Sequence, residues 1–446
     1  MKPSTLPTTP LDALKISGAL KVIVKTIHTS ADIFKSWKYP SPTASADFET
    51  MSLMDKIYWG YKSKKPVLYP EPNTPPAEFI KRNNTSIKLP ADFNEVKTVT
   101  FSAVGDLIKV NGLENSKDKF YEKISDLVFD AGISYANLES QLTSQDIGGY
   151  TFSDKETPPL CCTQEEYETL KGYNGKQYTL MHTACNHTFD MGIEGLETTL
   201  VQLAKDNIID LGTNREPDEQ QKAKIIEVKG IKFGFISATF GLNGKEIPKG
   251  KEYTVNVVKF HPLVNKKMIQ SPDLSLLYYQ IDDCKRQECD VIVASLHWGY
   301  EYEFFPRNHQ VNLAHELVEM GVDVILSHHA HVLQPVEYFH PKYCPEKTAV
   351  IVYSLGNLSS SFSAPHIVLS GVINLTFAGG KWSGKDTTFI KEVKLTPVVQ
   401  QDYLENNLPV ITLERLDTLS DKKDKDEEEA KYIADLERYA EQVGWR

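Results

Sequence analysis

The chain has 446 residues, of which 41% are hydrophobic and 24% charged, a balance that suits a folded globular protein and excludes global disorder. Lysine and arginine total 49 against 60 aspartates and glutamates, a formal net charge of −11. That charge excludes bulk attraction to nucleic acid or anionic membranes and leaves room only for a local basic pocket.

In chain order, no run approaches the roughly 20 apolar residues needed to span a bilayer. The N-terminal apolar stretch is broken by Asp12, Lys15 and Lys21. It carries no clear small-residue cleavage site, so it reads as mature chain and the protein as cytoplasmic. Residues 11–37 show helical apolar spacing through Leu14, Leu20, Ile23, Val24, Ile27 and Ile33, and residues 66–76, PVLYPEPNTPP, hold five prolines and read as an extended linker or arm. A first segment, 1–95, therefore precedes the main domain, 96–380, and a final strand with a charged tail occupies 381–446. Six cysteines without a CxxC pair read as reduced thiols, with Cys185 as a small buried filler.

From Lys97 the pattern becomes an alternation of strands and helices. VTFSAVGD reads as a strand, 120–131 as a helix, and ISYANLES as a strand. YTLMHTACNH follows, then a helix from Ile193 to Lys205, and a hairpin split by Gly230. DVIVASLHWG and VDVILSHHAH read as strands, each after an amphipathic helix, and AVIVYSLGN opens a last group of strands. The fold class is α/β. The tail at 421–444 reads as an exposed charged helix or a partly disordered end.

The polar residues fall at strand ends. Asp106, Asn137 with Glu139, Asn186 with His187, His297, and His329 with His331 each follow a short apolar run. Ligands of open α/β sheets bind outside the carboxyl ends of strands. Carboxylate and amide oxygens together with imidazole nitrogens are hard or borderline donors, suited to Mn, Fe or Zn. Two metals need several such groups and a bridging carboxylate. Singly, each motif has an ordinary structural explanation: a turn residue, a helix cap or a histidine-rich loop. Of the twelve histidines, nine lie between 261 and 366. Among these, His309, His315, His340 and His366 read as ordinary residues, His261 belongs to no motif, and His328 stays open.

The order GD, NLE, NH-x-x-D, HWGYEY, HHAH and YSLGN, with Pro306 and Gln310 between, resembles the capsule synthesis CapA family of poly-γ-glutamate formation, a branch similar to the calcineurin-like metallophosphoesterases. The resemblance covers about residues 98–378. It implies a two-sheet β-sandwich flanked by helices, with one or two divalent metals at one edge. It implies Asp106, Glu139 and His331 at one metal position, and Glu139, Asn186, His297 and His329 at the other. Asp106-Leu107-Ile108 lacks the histidine of the wider phosphoesterase pattern, and Ser327 and Ala330 depart from the CapA pattern.

The implied chemistry is hydrolysis of a phosphoester or an amide by a metal-activated water. His187 is the expected acid, Asp190 the residue that holds its ring, and Asn137, Glu301, Tyr302 and Asn357 the expected substrate contacts. The alternatives are a metal-assisted, proton-abstracting peptide-modifying enzyme and a non-catalytic accessory subunit of a polyglutamate-synthesising complex. The expected partner is a small molecule, a peptide or polyglutamate, with Lys245, Lys249, Lys251 and Arg307 as available cations, and not nucleic acid.

Overall fold

A computed structural model describes residues 4–14, 16, 18–72, 74, 78–79, 87–143, 158–261, 263–265, 268–270 and 272–445. The proline-rich arm at 66–76 thus lies partly outside the described residues.

Strands β1 (Asn94–Leu107), β2 (Ile133–Leu138), β3 (Leu180–His182) and β4 (Ile209–Leu211) run parallel to one another. Strands β5 (Lys224–Val228) and β6 (Ile231–Thr239) form the hairpin expected around Gly230. Strands β7 (Val291–His297), β8 (Val324–His328), β9 (Val336–Phe339) and β10 (Ala349–Val352) follow, then β11 (Asn357–Ser359), β12 (Leu369–Trp382), β13 (Lys385–Glu405) and β14 (Leu408–Arg415).

One eight-stranded sheet has the order β14-β13-β12-β1-β2-β3-β4, with β11 beside β1; a six-stranded sheet has the order β9-β10-β8-β7-β6-β5. The second sheet is parallel from β6 through β7 and β8 to β10. Its strands VIVASLH and VILSH are buried at every position, as expected of parallel strands covered on both faces.

The sheets pack face to face. Phe101 of β1 stacks on Phe235 of β6, and Val99, Ile133, Val293, Val324 and Val350 fill the space between the layers. Helices Ser275–Arg286 and Asn308–Glu319 cover the outer face of the second sheet through Leu277, Ile281, Ala314 and Leu317. Leu113, Phe120, Tyr121 and Val128 cover the outer face of the first. The architecture is the expected two-sheet α/β sandwich flanked by helices.

Three local expectations change. The helix expected over 120–131 is confined to Ser125–Phe129, because Phe120 and Tyr121 turn inward, Tyr121 sharing a hydrogen bond with Tyr178. Strands β13 and β14 continue the first sheet through β12, so residues 381–415 extend the sandwich edge. The charged tail is docked rather than exposed or disordered. Helix Glu427–Gln442 buries Ile433, Leu436 and Ala440 at helical spacing, and Trp445 is fully buried with its Nε1 donating to Gln334 O at 2.9 Å. A 3.6-residue apolar stripe outweighs the high charge of the other faces.

The N-terminal segment also packs onto the sandwich. Its helices are α1 (Pro10–Ala13), α2 (Gly18–Phe34) and α3 (Leu53–Lys64), the last opened by a Ser52–Asp55 capping box. Beyond α3, Val67 exchanges backbone hydrogen bonds with the 302–304 loop: its N–H donates to Tyr302 O, and its carbonyl accepts from Phe304 N. A buried ion network ties α3 to the same loop, with Lys62 Nζ at 2.8 Å and two Arg307 nitrogens at 2.9 Å from Glu303. Arg307 is thereby engaged inside the protein.

Candidate metal centre

The parallel strands of both sheets end at one edge, and β1, β2, β3, β7, β8 and β11 each deliver a polar side chain there. Gly105 and Gly356 let β1 and β11 approach so closely that a Cβ on Gly105 would sit 1.9 Å from the Gly356 carbonyl oxygen. This contact sets Asp106 beside Asn357 in register. Asn137 and His182 stand next in line on β2 and β3. From the second sheet, His297 ends β7 and His328 ends β8, also in register.

Asp106 is completely buried and held from several directions. Its Oδ1 accepts from Asn137 Nδ2 at 2.8 Å and from His328 Nδ1 at 2.8 Å. Behind His328, Nε2 lies 2.7 Å from the Tyr135 hydroxyl, which in turn is 2.5 Å from Ser295 Oγ. Burial favours the protonated acid, but hydrogen bonds from His328 and His331 outweigh it and hold Asp106 well below the ordinary carboxylate range.

Glu139 is the opposite case. It is completely buried, and neither carboxylate oxygen has a hydrogen-bond partner. Burial pushes its acid up to about 8. Around it stand His297 Nε2 at 3.8 Å and His331 Nε2 at 3.7 Å. His297 Nε2 also lies 2.9 Å from Asn186 Oδ1, and Asn186 is steadied by Asn243 at 3.1 Å. Donor atoms of Asp106, Glu139 and His297 lie within 4.8 Å of one another.

His329 and His331 complete the ring. Both ring nitrogens of the buried His329 lack a partner. His331 is oriented by Asn357, whose Oδ1 accepts from Nδ1 at 2.8 Å, so that Nε2 faces Glu139 and, at 3.8 Å, Glu301. Burial opposes a charge on His331, yet Glu139, Asp106 and Glu301 raise it to about 10. Burial holds His297 and His329 well below the ordinary imidazole range, that is, neutral, the form in which imidazole can bind a metal. Tyr302, His329 and His331 have φ values of 60°, 87° and 54°, left-handed backbone that costs about 1–3 kcal/mol each and is held only where its surroundings demand it.

Buried, unpaired polar atoms are costly unless something satisfies them. The unpartnered oxygens of Glu139 and nitrogens of His329, next to an ionised Asp106 and a neutral His297, are the donors that a divalent cation satisfies. The residues present fit such an ion.

His187 lies beside this ring and is bound differently. Its Nδ1 is 2.5 Å from Asp190 Oδ2, an oxygen that also accepts from Leu160 N at 2.8 Å. Burial lowers its basicity, but Asp190 outweighs burial and raises it above the ordinary imidazole value. Cys185 is buried against Thr188 and the Glu139 carbonyl, and burial pushes its thiol well up, which fits an inert filler.

The family model described as bacterial capsule synthesis protein PGA_cap matches residues 100–361. The chain belongs to that family. It is similar to the PGA biosynthesis protein CapA of Bacillus subtilis (strain 168), 28% identical over 278 residues, 60% of this chain and 66% of that protein. It is also similar to the capsule biosynthesis protein CapA of Bacillus anthracis, 23% identical over 286 residues, 63% and 64% of the two chains. A probable polyglutamine synthesis accessory protein of Mycobacterium tuberculosis (strain ATCC 25618 / H37Rv) is 20% identical over 209 residues, 46% and 51% of the two chains. The match therefore spans at most 66% of the length of these relatives.

The matched stretch holds every candidate site residue named from the sequence, Asp106 through Asn357. Glu301, Tyr302 and Asn357 line a cavity of about 350 Å³ together with Asn186, His187, His329 and His331. Asn137 does not line it; the side chain is fully buried and holds Asp106. Much of the rest of its lining comes from residues 10–60, outside the matched stretch: Leu14, Leu20, Val24, Phe48 and Trp59.

Two neighbours of the centre, His182 and Tyr135, were not singled out from the sequence, and the role of His328 was left open there. His328 supports Asp106, His182 sits with its ring near those of His297 and His328, and Tyr135 closes the hydrogen-bonded chain. His182 ends a strand beside Asn137, which was a usable signal. No helix among the described residues is long and apolar enough to cross a membrane.

Proposed function

We propose that this PGA_cap-family chain is a metal-dependent hydrolase working in poly-γ-glutamate or capsule metabolism, on a phosphoester or an amide. One observation carries the reading: a fully buried glutamate, Glu139, has no hydrogen-bond partner and lies among Asp106, His297 and His331. The candidate ligands are Asp106, Glu139, Asn186, His297, His329 and His331, and they would hold one or two Mn, Fe or Zn ions. A divalent cation held there supplies Lewis acidity and lowers the pKa of water toward neutrality.

The chain's own residues would do the rest. His187 carries a proton on the nitrogen away from Asp190 and delivers it to the departing group. Asp190 fixes the ring orientation and keeps His187 protonated. Glu301, Tyr302 and Asn357 line the substrate's approach, and the buried setting strengthens every charge interaction with the reacting group. The His187–Asp190 pair also favours a second reading, removal of a proton next to a carbonyl in an epimerase-like reaction. The name of the mycobacterial relative raises a third, an accessory subunit without chemistry of its own.

The test is turnover of bis(p-nitrophenyl) phosphate and of γ-glutamyl p-nitroanilide, with and without Mn²⁺, by wild type and His187→Ala. Metal-dependent hydrolysis of either, reduced at least 100-fold in the variant, is expected. Metal-bound protein inert on both substrates, but exchanging solvent deuterium into an α-carbon of a peptide, would replace hydrolysis by the proton-abstraction reading.

A further inference from the structure

The cavity beside the candidate metal centre has two unlike groups of lining residues. One is polar and comprises Asn186, His187, Glu301, His329 and His331. The other is built by the N-terminal segment, from Leu14 at the end of α1, Leu20 and Val24 one turn apart on α2, Phe48 in the following loop, and Ile57 and Trp59 on α3. Residues four apart on a helix share a face, so α2 turns Leu20 and Val24 together toward the cavity. Leu14, Leu20, Val24 and Phe48 are each only half-buried. They keep apolar surface that a ligand could remove from water, which is favourable in proportion to the area covered.

Among the described lining residues Lys56 is the one lysine, with its ammonium 4.1 Å from the Phe48 ring centroid. A chain of carboxylates would have to shed its water along this wall with little positive charge in return. The cavity, about 350 Å³, has room for one compact apolar group rather than a two-chain lipid.

We propose that the N-terminal segment is a substrate-recognition wall, and that the ligand is a small amphiphile. Its anionic or amide head lies against the polar group and a single apolar body, alkyl, acyl or aryl, lies among Leu14, Leu20, Val24 and Phe48. The proposal rests on the hydrolase reading only for the position of the head. It gives residues 10–60 a role in selection and disfavours extended polyglutamate as the group held in this cavity.

The test is binding of ethyl, butyl and octyl phosphate and of tri-γ-glutamate to the full-length protein with Mn²⁺, by calorimetry. Affinity is expected to rise at least tenfold from ethyl to octyl phosphate, and tri-γ-glutamate to bind no tighter than ethyl phosphate. Leu20→Glu and, separately, Leu14→Glu should cut the octyl-to-ethyl ratio at least fivefold while the Mn²⁺ content is retained. Equal affinity along the alkyl series, tighter binding of tri-γ-glutamate than of octyl phosphate, or an unchanged ratio in both folded variants would overturn the proposal. The wild-type series decides even if a variant misfolds. His297→Ala separates the two readings: loss of metal weakens every phosphate alike, whereas the octyl-to-ethyl ratio reports the apolar wall alone.

Discussion

The indole Nε1 of Trp59 donates to Oε2 of Glu301 at 2.5 Å. These residues are 242 positions apart in sequence, one on α3 and one in the HWGYEY loop after β7, and both line the cavity. Glu301 in turn faces His331 at 3.8 Å. The N-terminal segment is thus joined by a charge-assisted hydrogen bond to a residue in contact with the centre.

Trp59→Phe removes this bond and keeps most of the ring volume. Hydrogen bonds to charged groups contribute about 1.5–3 kcal/mol when buried, and partial exposure of Glu301 reduces that here. The expected loss is about 1 kcal/mol of unfolding free energy, read by urea denaturation with an unchanged m-value. No loss at all would mean that the bond does not hold the segment.

Glu303 gives a pH prediction. Burial raises its acid, but Arg307 and Lys62 outweigh burial and bring it down to about 2, from an ordinary 4.5. A folded-state value below the unfolded one means that the unfolded chain binds more protons between the two. The stabilisation is therefore complete above about pH 4.5 and is lost as pH falls toward 2, on the order of 3 kcal/mol in all. Glu303→Gln leaves two buried cations poorly compensated and costs about 3–5 kcal/mol at neutral pH. Its acid-denaturation curve should also be shallower than that of wild type over this range. Parallel curves would remove Glu303 as the source.

Tyr135→Phe deletes the hydroxyl that backs His328, leaving Asp106 with a less firmly held partner. Outer partners of metal ligands change metal affinity by about 10–100-fold when removed. Mn²⁺ titration should show at least a tenfold weaker site, with stability lowered by about 1–2 kcal/mol. Unchanged affinity would mean that Asp106 is held well enough by Asn137, His331 and a His328 without its Tyr135 partner.

Trp445 tests the docking of the C-terminus. Its ring packs against Gly371 so closely that a Cβ there would lie 2.3 Å from it. Trp445→Ala should cost about 3–5 kcal/mol, and Gly371→Ala should push the ring out and destabilise as well. A thermal melt matching wild type in Trp445→Ala would restore the reading of an exposed tail.

The sandwich and the residues of its edge were legible because parallel strands buried on both faces are nearly all apolar. A polar residue closing such a run, as in SLH, LSH or AVGD, therefore stands out. His329 and His331 were legible by their spacing, and His187–Asp190 by the local i, i+3 separation that the 2.5 Å contact uses. The rest depends on contacts distant in sequence. The bond from His328 to Asp106 spans 222 residues, and that from Tyr135 to His328 spans 193. The cavity wall was hidden for the same reason: Leu20 and Val24 read as one face of an amphipathic helix, but nothing in that pattern says what the face meets. The tail misled because its acidic and basic residues outnumber the few apolar ones that dock it.

Everything proposed for the site depends on Asp106, Glu139 and His297 holding a metal. The most direct measurement is an anomalous difference map from crystals grown with Mn²⁺, for wild type and Glu139→Gln. The expected result is a peak bonded to Glu139, Asp106 and His297 in wild type, lost or reduced in the variant. A wild-type map without a peak at Glu139, with its carboxyl bonded only to water or to a protein group, would rule out a metal at this site.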